Sequence, residues 1–307
     1  NLYDYASKVA LGEVEDETFA PFLYELDAVD EYIDDKNWVK ANPGLGTIKL
    51  TDSLKDEVDR AMKDPDYLSG VLCKHFNLKQ TGTDMWLTYE DINNEETFEE
   101  DDIKDMYCIG GVDLSSTTDL TCASLLMQVA GKKYIKQMYW IPEEKMEQKI
   151  REDKIPYDKW KERNILRTCE GSKVDYHEVT KWFLEQVEVY GLRPLWIGYD
   201  SWNANYWCDE MREYGFDMYE VRQGAKTMST PMKQLEADLR DNKINYNNNP
   251  ILKWCLTNTS VRIDDNGNIR PVKGRGQKAR IDGTVSLIDC YVVYSEKYQD
   301  FLNMLER

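Results

Sequence analysis

Three aspartates are candidates for a chemical role: two lie at or near the ends of hydrophobic stretches, where an ionised carboxylate needs a compensating partner, and one opens a predicted helix. Asp113 lies near the end of the stretch 106–114 and has no basic residue close to it in the sequence. Because burying an unpaired carboxylate costs free energy, we expect either a divalent cation or a distant salt bridge at Asp113. Asp200 follows the stretch 195–199, where it either joins a ligand site or caps the next helix. Asp282 opens the last predicted helix, and an N-cap is its default role.

Two further aspartates are candidates for the same site. Asp119 lies six residues after Asp113, across a turn of serine and threonine. A turn that folds back antiparallel brings Asp119 to the same edge, and otherwise it is an ordinary turn residue. Asp289 shares a helix face with Asp282 but lies about 10 Å further along the axis. We favour Asp282 because a helix start offers N–H groups and a positive dipole end to a carboxylate, and we expect Asp289 to pair with a distant Lys or Arg.

The elements that position these residues follow from apolar periodicity, caps and turns. Three consecutive strands with short turns predict an antiparallel meander, after which helices and strands alternate. The predicted strands span residues 19–26, 106–114, 120–129, 134–140, 194–200 and 218–221, with an Asn-Gly hairpin over 262–270. The predicted helices span residues 51–62, 66–77, 176–190, 203–214, 231–239 and 282–298. This order is that of an RNase H-like mixed β-sheet flanked by helices, an α/β fold.

In such a sheet, Asp113, Asp200 and Asp282 would converge at one edge. An oxygen-rich cluster of this kind suits Mg²⁺ or Mn²⁺. Two such ions about 3.5–4 Å apart activate a water and stabilise the leaving oxygen of a phosphodiester. The three carboxylates together therefore predict a two-metal site, to which Asp119 is a candidate additional ligand.

Composition excludes several classes of protein. The 39 Lys and Arg against 57 Asp and Glu give a net charge of −18, which argues against a generic basic coat for nucleic acid. No apolar run is long enough to span a membrane, and the given sequence does not begin with a basic, apolar stretch that resembles a signal peptide. Seven widely spaced cysteines without a C-x-x-C motif indicate a reducing compartment and buried structural thiols. With two histidines, a zinc site is poorly supplied and histidine chemistry is nearly ruled out.

One segment is basic within this acidic chain. Residues 262–280 carry six basic and two acidic residues, a net charge of +4. The segment is either a solvated hairpin or an arm that contacts DNA phosphates beside the acidic site. The candidate DNA-binding residues are Arg270, Lys273, Arg275, Lys278 and Arg280. Its glycines do not form a P-loop, because G-x-x-x-x-G-K-[ST] is absent from the chain, so ATP hydrolysis by that mechanism is not expected of it.

The acidic run 94–102 divides the sequence into unequal parts. Nothing in it is expected to anchor a core, so we interpret it as a linker or a solvated loop. We therefore predict a smaller, mostly helical region over residues 1–100 and an α/β domain over residues 101–307. The first residue is Asn rather than Met, from which we expect an excised fragment or a processed chain.

Two motifs in the second region resemble the nuclease domain of the large terminase subunits of tailed phages. They are Gly111–Leu120 and Ile281–Ile288, and Trp38–Gly46 is similar to the segment that joins the packaging ATPase to that nuclease. The resemblance implies that Asp113, Asp200 and Asp282 are the catalytic acids. It also implies that residues 1–100 are the tail of the ATPase domain and a linker, with the motor domain preceding them.

The resemblance further implies a metal-dependent endonuclease that cuts concatemeric phage DNA. Its partners would be double-stranded DNA, the small terminase subunit and the portal of the procapsid. It would act in the host cytoplasm and transiently at the procapsid, with no role for a membrane. Two alternatives stay open: another RNase H-like nuclease of the resolvase or transposase type, and a non-catalytic packaging or assembly scaffold.

Overall fold

A computed structural model describes residues 2–63, 65–78, 85–115, 120–200, 204–274 and 279–306. The chain divides into two compact units, Asn1–Thr83 and Asp84–Arg307. The division falls before the acidic run 94–102, which therefore belongs to the second unit. None of the described helices is long and apolar enough to cross a membrane.

The first unit is a small helical assembly. Its helices are Leu2–Ala10 (α1), Trp38–Ala41 (α2), Thr51–Ala61 (α3) and Pro65–Phe76 (α4), with short 3-10 turns over Val29–Ile33 and Asp35–Asn37. The core includes Trp38, Leu54, Val58 and Phe76, all of them buried. The predicted helices 51–62 and 66–77 are thus confirmed to within a residue at each end.

The strand predicted over residues 19–26 is wrong, because this segment has no regular structure. Leu26 is buried, but Phe22 is 77% exposed. Pro21 has no N–H to donate to a ladder, and none of the described residues of the unit forms a strand with which the segment could pair.

The second unit is built on a mixed sheet, as the sequence predicts. Its strands are Tyr107–Asp113 (β1), Thr121–Val129 (β2), Lys132–Pro142 (β3), Leu166–Cys169 (β4), Arg193–Tyr199 (β5), Met218–Glu220 (β6) and Ile244–Asn245 (β7). The order across the sheet is β4-β3-β2-β1-β5-β6, with β7 also paired to β3. β1, β2 and β3 form the predicted antiparallel meander, whereas β4, β5, β6 and β7 pair in parallel with their neighbours. Thr259–Ile263 (β8) and Ile269–Lys273 (β9) form a separate antiparallel hairpin.

Helices cover both faces of the sheet. They are Tyr89–Ile92 (α5), Met146–Asp153 (α6), Tyr157–Glu162 (α7), His177–Tyr190 (α8), Asn205–Glu213 (α9), Ala225–Arg240 (α10), Pro250–Asn258 (α11), Asp282–Glu296 (α12) and Tyr298–Leu305 (α13). Neighbouring strand residues point to opposite faces: Ile109 packs in a core with α10 and α12, and Cys108 in a core with α8 and α9. The helix predicted over 282–298 is interrupted at Lys297, and α10 begins six residues earlier than predicted, with Pro231 inside it.

The acidic run is not a solvated linker. Phe98 is only 8% exposed and packs edge-on against Tyr134 of β3, with ring centroids 5.6 Å apart. Lys136 of the same strand forms a salt bridge with Glu100 at 2.5 Å. A single phenylalanine and complementary lysines on a strand are enough to hold such an acidic run against the sheet.

The central helix α12 is tied to α10 and β3 through a buried ion pair. The Lys133 ammonium forms a salt bridge with Asp238, and the Tyr291 hydroxyl donates to the same carboxylate at 2.9 Å. Lys133 also lies over the rings of Tyr291 and Tyr294, 4.6 and 4.4 Å from their centroids. Because both charges are buried, removing one of them leaves the other without its compensating charge.

Lys133→Met is therefore expected to lower the free energy of unfolding by about 3–5 kcal/mol. Chemical denaturation of the purified variant beside wild type measures the change. Lys181→Met is the matched control, because Lys181 and Glu178 form an exposed pair on α8, and its unfolding midpoint should stay at the wild-type value. Equal stability of Lys133→Met and Lys181→Met would contradict the expectation.

Candidate functional site

Two of the predicted acids lie at the ends of adjacent parallel strands. β1 pairs with β5, and the last pair in register is Val112 with Tyr199. The next residues on the two strands are Asp113 and Asp200, and both are half-buried. Because the carboxyl ends of parallel strands meet at one edge of a sheet, the strand pairing brings these two carboxylates to the same edge.

The third predicted acid, Asp282, is the first residue of α12 and is 4% exposed. The helix starts over β3: a Cβ at Gly283 would lie 2.2 Å from the Tyr139 hydroxyl oxygen. Tyr139 pairs with Cys122 of β2, which pairs in turn with Asp113. The start of α12 therefore contacts the side chain of Tyr139, a residue in the same row of paired strand residues as Asp113.

The pKa values of two buried cysteines also indicate that Asp113 and Asp282 lie near each other. Burial raises the pKa of the Cys122 thiol, and the charges of Asp113 and Asp282 raise it further. Burial likewise raises the pKa of Cys255 in α11, to which the charges of Asp282 and Asp113 also contribute. The two carboxylates thus lie within electrostatic range of the same two thiols. Both cysteines are buried, as predicted for structural thiols, as are all the others except Cys73.

A buried polar network fixes the start of α12 on the sheet. The Gln137 amide donates to the Gly283 carbonyl at 2.9 Å and to the Ser124 hydroxyl at 2.8 Å. The Ser124 and Ser286 hydroxyls lie 2.7 Å apart, and Ser286 donates to the Gly111 carbonyl at 2.8 Å. Together these hydrogen bonds join β1, β2 and β3 to α12, so the network sets where Asp282 stands relative to the strands.

Two glycines allow α12 to approach the strands closely. A Cβ at Gly111 would lie 2.2 Å from the Ser286 carbonyl oxygen, and a Cβ at Gly198 would lie 2.9 Å from the Asp289 carbonyl oxygen. Gly111 precedes Asp113 by two residues, and Gly198 precedes Asp200 by two. The two acid-bearing strands therefore both contact the helix backbone immediately before their carboxylates.

Asp289 does not have the Lys or Arg partner that we expected. Its side chain is fully buried, and its Oδ1 accepts a hydrogen bond of 3.0 Å from the Gln223 amide. Its Oδ2 is buried without a hydrogen-bond partner in the described part of the chain. Burial raises the pKa of Asp289 well above its usual range, and the charge of Asp200 adds to the increase. This contact has no signal in the sequence, because Gln223 is 66 residues away and carries no charge.

The carboxylates offer the oxygen donors that hard divalent cations prefer. The orphaned Oδ2 of Asp289, within electrostatic range of Asp200, is a buried oxygen that a nearby positive charge would stabilise. Across the described ranges, however, no three His, Cys, Asp or Glu side chains already stand close enough to hold an ion. A cavity of about 470 Å³ beside β3 and α8 is lined by none of the candidate acids.

The predicted basic segment is the β8–β9 hairpin and the chain after it. Arg262 and Arg270 lie directly opposite each other on the two strands, and neither has an ion-pair partner among the described residues. Like charges in cross-strand positions are unfavourable, and a nearby anion would offset their repulsion. Lys273, at the end of β9, is exposed.

Arg280 has a carboxylate partner within the chain. It is 8% exposed, and its guanidinium forms an ion pair with the buried carboxylate of Asp153 in α6 at 3.3 Å. The sequence showed its charge but not its distant partner. Asp119, Arg275 and Lys278 lie outside the described residues, and the roles predicted for them stay predictions.

The sheet order and its flanking helices define a mixed α/β fold of the RNase H-like class, with two carboxylates at adjacent strand ends. The family model described as "Terminase large subunit, endonuclease domain" matches residues 13–297. The chain therefore belongs to the endonuclease-domain family of terminase large subunits.

Curated relatives and a solved structure agree with this assignment. The chain is 24% identical over 265 residues to the terminase large subunit of Enterobacteria phage HK97, covering 82% of this chain and 50% of the relative. It is 26% identical over 270 residues to the terminase large subunit of Lactococcus phage p2, covering 86% and 49%. The crystal structure of the HK97 large terminase matches 95% of this chain and 60% of that one, with a TM-score of 0.61 and 23% identity, and has the same fold. The chain thus spans about half the length of these curated relatives.

Proposed function

We propose that this chain is a metal-dependent DNA endonuclease that cuts concatemeric phage DNA during packaging. The observation that carries the proposal is the placement of Asp113 and Asp200 at adjacent strand ends, in a chain of the terminase endonuclease family. Double-stranded DNA is the substrate. The small terminase subunit and the portal are the partners we propose, with the chain acting in the host cytoplasm and at the procapsid.

The residues proposed to hold Mg²⁺ or Mn²⁺ are Asp113, Asp200 and Asp282, with Asp119 as a further candidate ligand. Two bound ions would supply an activated water and neutralise the charge that develops on the leaving 3′ oxygen. The chain itself holds the carboxylates in place. Pairing of β1 with β5 fixes Asp113 and Asp200, and the network around Ser286 fixes the start of α12. With its hydrogen bonds made before substrate arrives, the scaffold limits the reorganisation needed during reaction.

The test is cleavage of supercoiled plasmid by the purified protein. Cutting should require Mg²⁺ or Mn²⁺, and Ca²⁺ should bind without supporting comparable turnover, because it prefers a larger and more flexible coordination shell. Binding is measured separately, as a metal-induced shift in melting temperature. Undiminished cutting in excess EDTA would contradict the proposal.

The β8–β9 hairpin is proposed to contact DNA phosphates. Replacing Arg270 and Lys273 with Gln should weaken binding to all DNA sequences alike, because phosphate contacts carry no sequence information. The slope of log K against log salt should shrink by about 0.9 for each phosphate that is no longer neutralised. The matched control is Lys159→Gln, which removes an exposed charge on α7. A slope unchanged from wild type in the hairpin variant would show that the hairpin is merely solvated.

A further inference from the structure

Gln223 stands one strand beyond Asp200 at the same edge of the sheet. β5 and β6 pair in parallel, Tyr199 is in register with Glu220, and the Val221 N–H donates to the Tyr199 carbonyl at 2.8 Å. Asp200 follows Tyr199, and Gln223 follows Val221 by two residues. Since both strands end here, the side chain of Gln223 emerges at the edge that carries the candidate acids.

The orientation of the Gln223 amide is set by Asp289. Its Nε2 donates to Asp289 Oδ1 at 3.0 Å, and Oδ1 is an acceptor in that hydrogen bond. Because the amide nitrogen occupies the branch that faces Asp289, the amide oxygen lies on the other branch of the planar group. Asp289 is itself held firmly, because the backbone of its turn of α12 contacts β5 at Gly198.

We propose that Gln223 is a further residue of the active site, whose amide oxygen accepts a hydrogen bond from the water that attacks the phosphodiester. Asp289 is its positioning residue. The inference rests on the proposed endonuclease function and deepens it. In the reaction, the bond between the water oxygen and phosphorus forms and the bond from phosphorus to the 3′ oxygen breaks. One water proton passes to solvent, and the departing 3′ oxygen takes a proton from solvent to become the 3′ hydroxyl.

A neutral amide is too weak a base to take that proton, so Gln223 orients the water without titrating. This distinguishes its role from that of a general base, whose removal changes the pH dependence of the rate. The proposal also gives the fully buried Asp289 a role, because its Oδ1 holds the amide nitrogen of Gln223.

The experiment compares Gln223→Ala, Asp289→Asn and the double variant with wild type in single-turnover plasmid cleavage. Gln223→Ala should lower the rate roughly 10- to 100-fold, since loss of orientation carries a penalty of that order. The melting temperature should fall, because Gln223 supplies the hydrogen bond to the buried Asp289, so rates are compared at equal folded fraction. The metal-induced melting shift and the shape of the pH–rate profile should stay as in wild type. The matched control, Gln148→Ala, removes an exposed amide that donates to Glu152 in α6 and should cut at the wild-type rate.

The double variant tests whether Asp289 acts through Gln223. If it does, adding Asp289→Asn to Gln223→Ala should produce no further loss of rate, because coupled residues are non-additive. Multiplicative losses would overturn the positioning role of Asp289. A Gln223→Ala protein that cuts at the wild-type rate would overturn the inference alone, whereas a wild type that never cuts would refute the proposed function beneath it.

Discussion

Asp282→Ala is expected to abolish metal-dependent cleavage, whereas Asp289→Ala should leave measurable activity. Asp282 opens α12, where free backbone N–H groups and the positive end of the helix dipole favour a carboxylate. It also lies within electrostatic range of the same thiols as Asp113. Its loss removes a proposed metal ligand, so no turnover above background should be detectable at any Mg²⁺ or Mn²⁺ concentration.

Asp289 stands two turns further along α12 and acts, in our account, only through Gln223. Its replacement by Ala should lower the rate by about tenfold, because the amide is then free to turn. The comparison is made at equal folded fraction, determined by circular dichroism, so that a loss of stability is not mistaken for a loss of chemistry. If Asp289→Ala is inactive and Asp282→Ala is active, the third catalytic acid is Asp289 and our assignment is wrong.

Gly111→Ala is the second change with a large expected effect. The new methyl group would lie 2.2 Å from the Ser286 carbonyl oxygen and 2.7 Å from the Cys290 amide nitrogen. Both are backbone atoms of α12, which cannot move aside as a flexible side chain can. The helix must therefore shift away from β1, and overpacking of this kind should lower the free energy of unfolding by about 3 kcal/mol.

The same shift should impair catalysis in the folded fraction. A displacement of about 1 Å between Asp282 and the strand acids is enough to lower the rate about 100-fold. Gly224→Ala is the control, because no atom lies within 4 Å of a Cβ at that position and its φ of −132° is ordinary for alanine. If Gly111→Ala melts and cuts like Gly224→Ala, close contact between α12 and β1 does not set the site.

Much of the second unit is predictable from local sequence. The meander from β1 to β3 is evident because its strands are apolar, adjacent in the chain and joined tightly. Helix α8 and strand β5 follow from periodicity and from flanking turn residues. These elements depend mainly on their own residues, which explains why their predicted bounds lie within a few residues of those observed.

The features that local sequence does not reveal depend on contacts between distant residues. The two residues of β7 form a strand only because β3 offers them an edge, and no local pattern marks so short an element. Phe98 anchors the acidic run only because Tyr134 lies opposite it. Arg280 of the basic segment forms an ion pair with Asp153, which is 127 residues away in the sequence.

In the candidate site, too, some residues can be recognised from local sequence and others only from contacts between distant residues. Asp113 and Asp200 stand out because a carboxylate after an apolar stretch is unusual, and Asp282 stands out because it opens a predicted helix. Gln223 has no comparable signal in the sequence, since an uncharged amide after a short strand is common. Its significance depends on Asp289, and the close approach that Gly198 permits between β5 and α12 is likewise visible only in three dimensions.

The most direct test of the central claim is plasmid cleavage by wild type and Asp113→Asn, side by side, in Mg²⁺ or Mn²⁺. The substitution removes one charge and one proposed ligand while keeping the shape of the side chain. The variant should fold, with a metal-free melting temperature equal to or above that of wild type, because carboxylate repulsion is relieved. Our account predicts metal-dependent cutting by wild type and none by the variant; cutting by Asp113→Asn at a rate near that of wild type would contradict it.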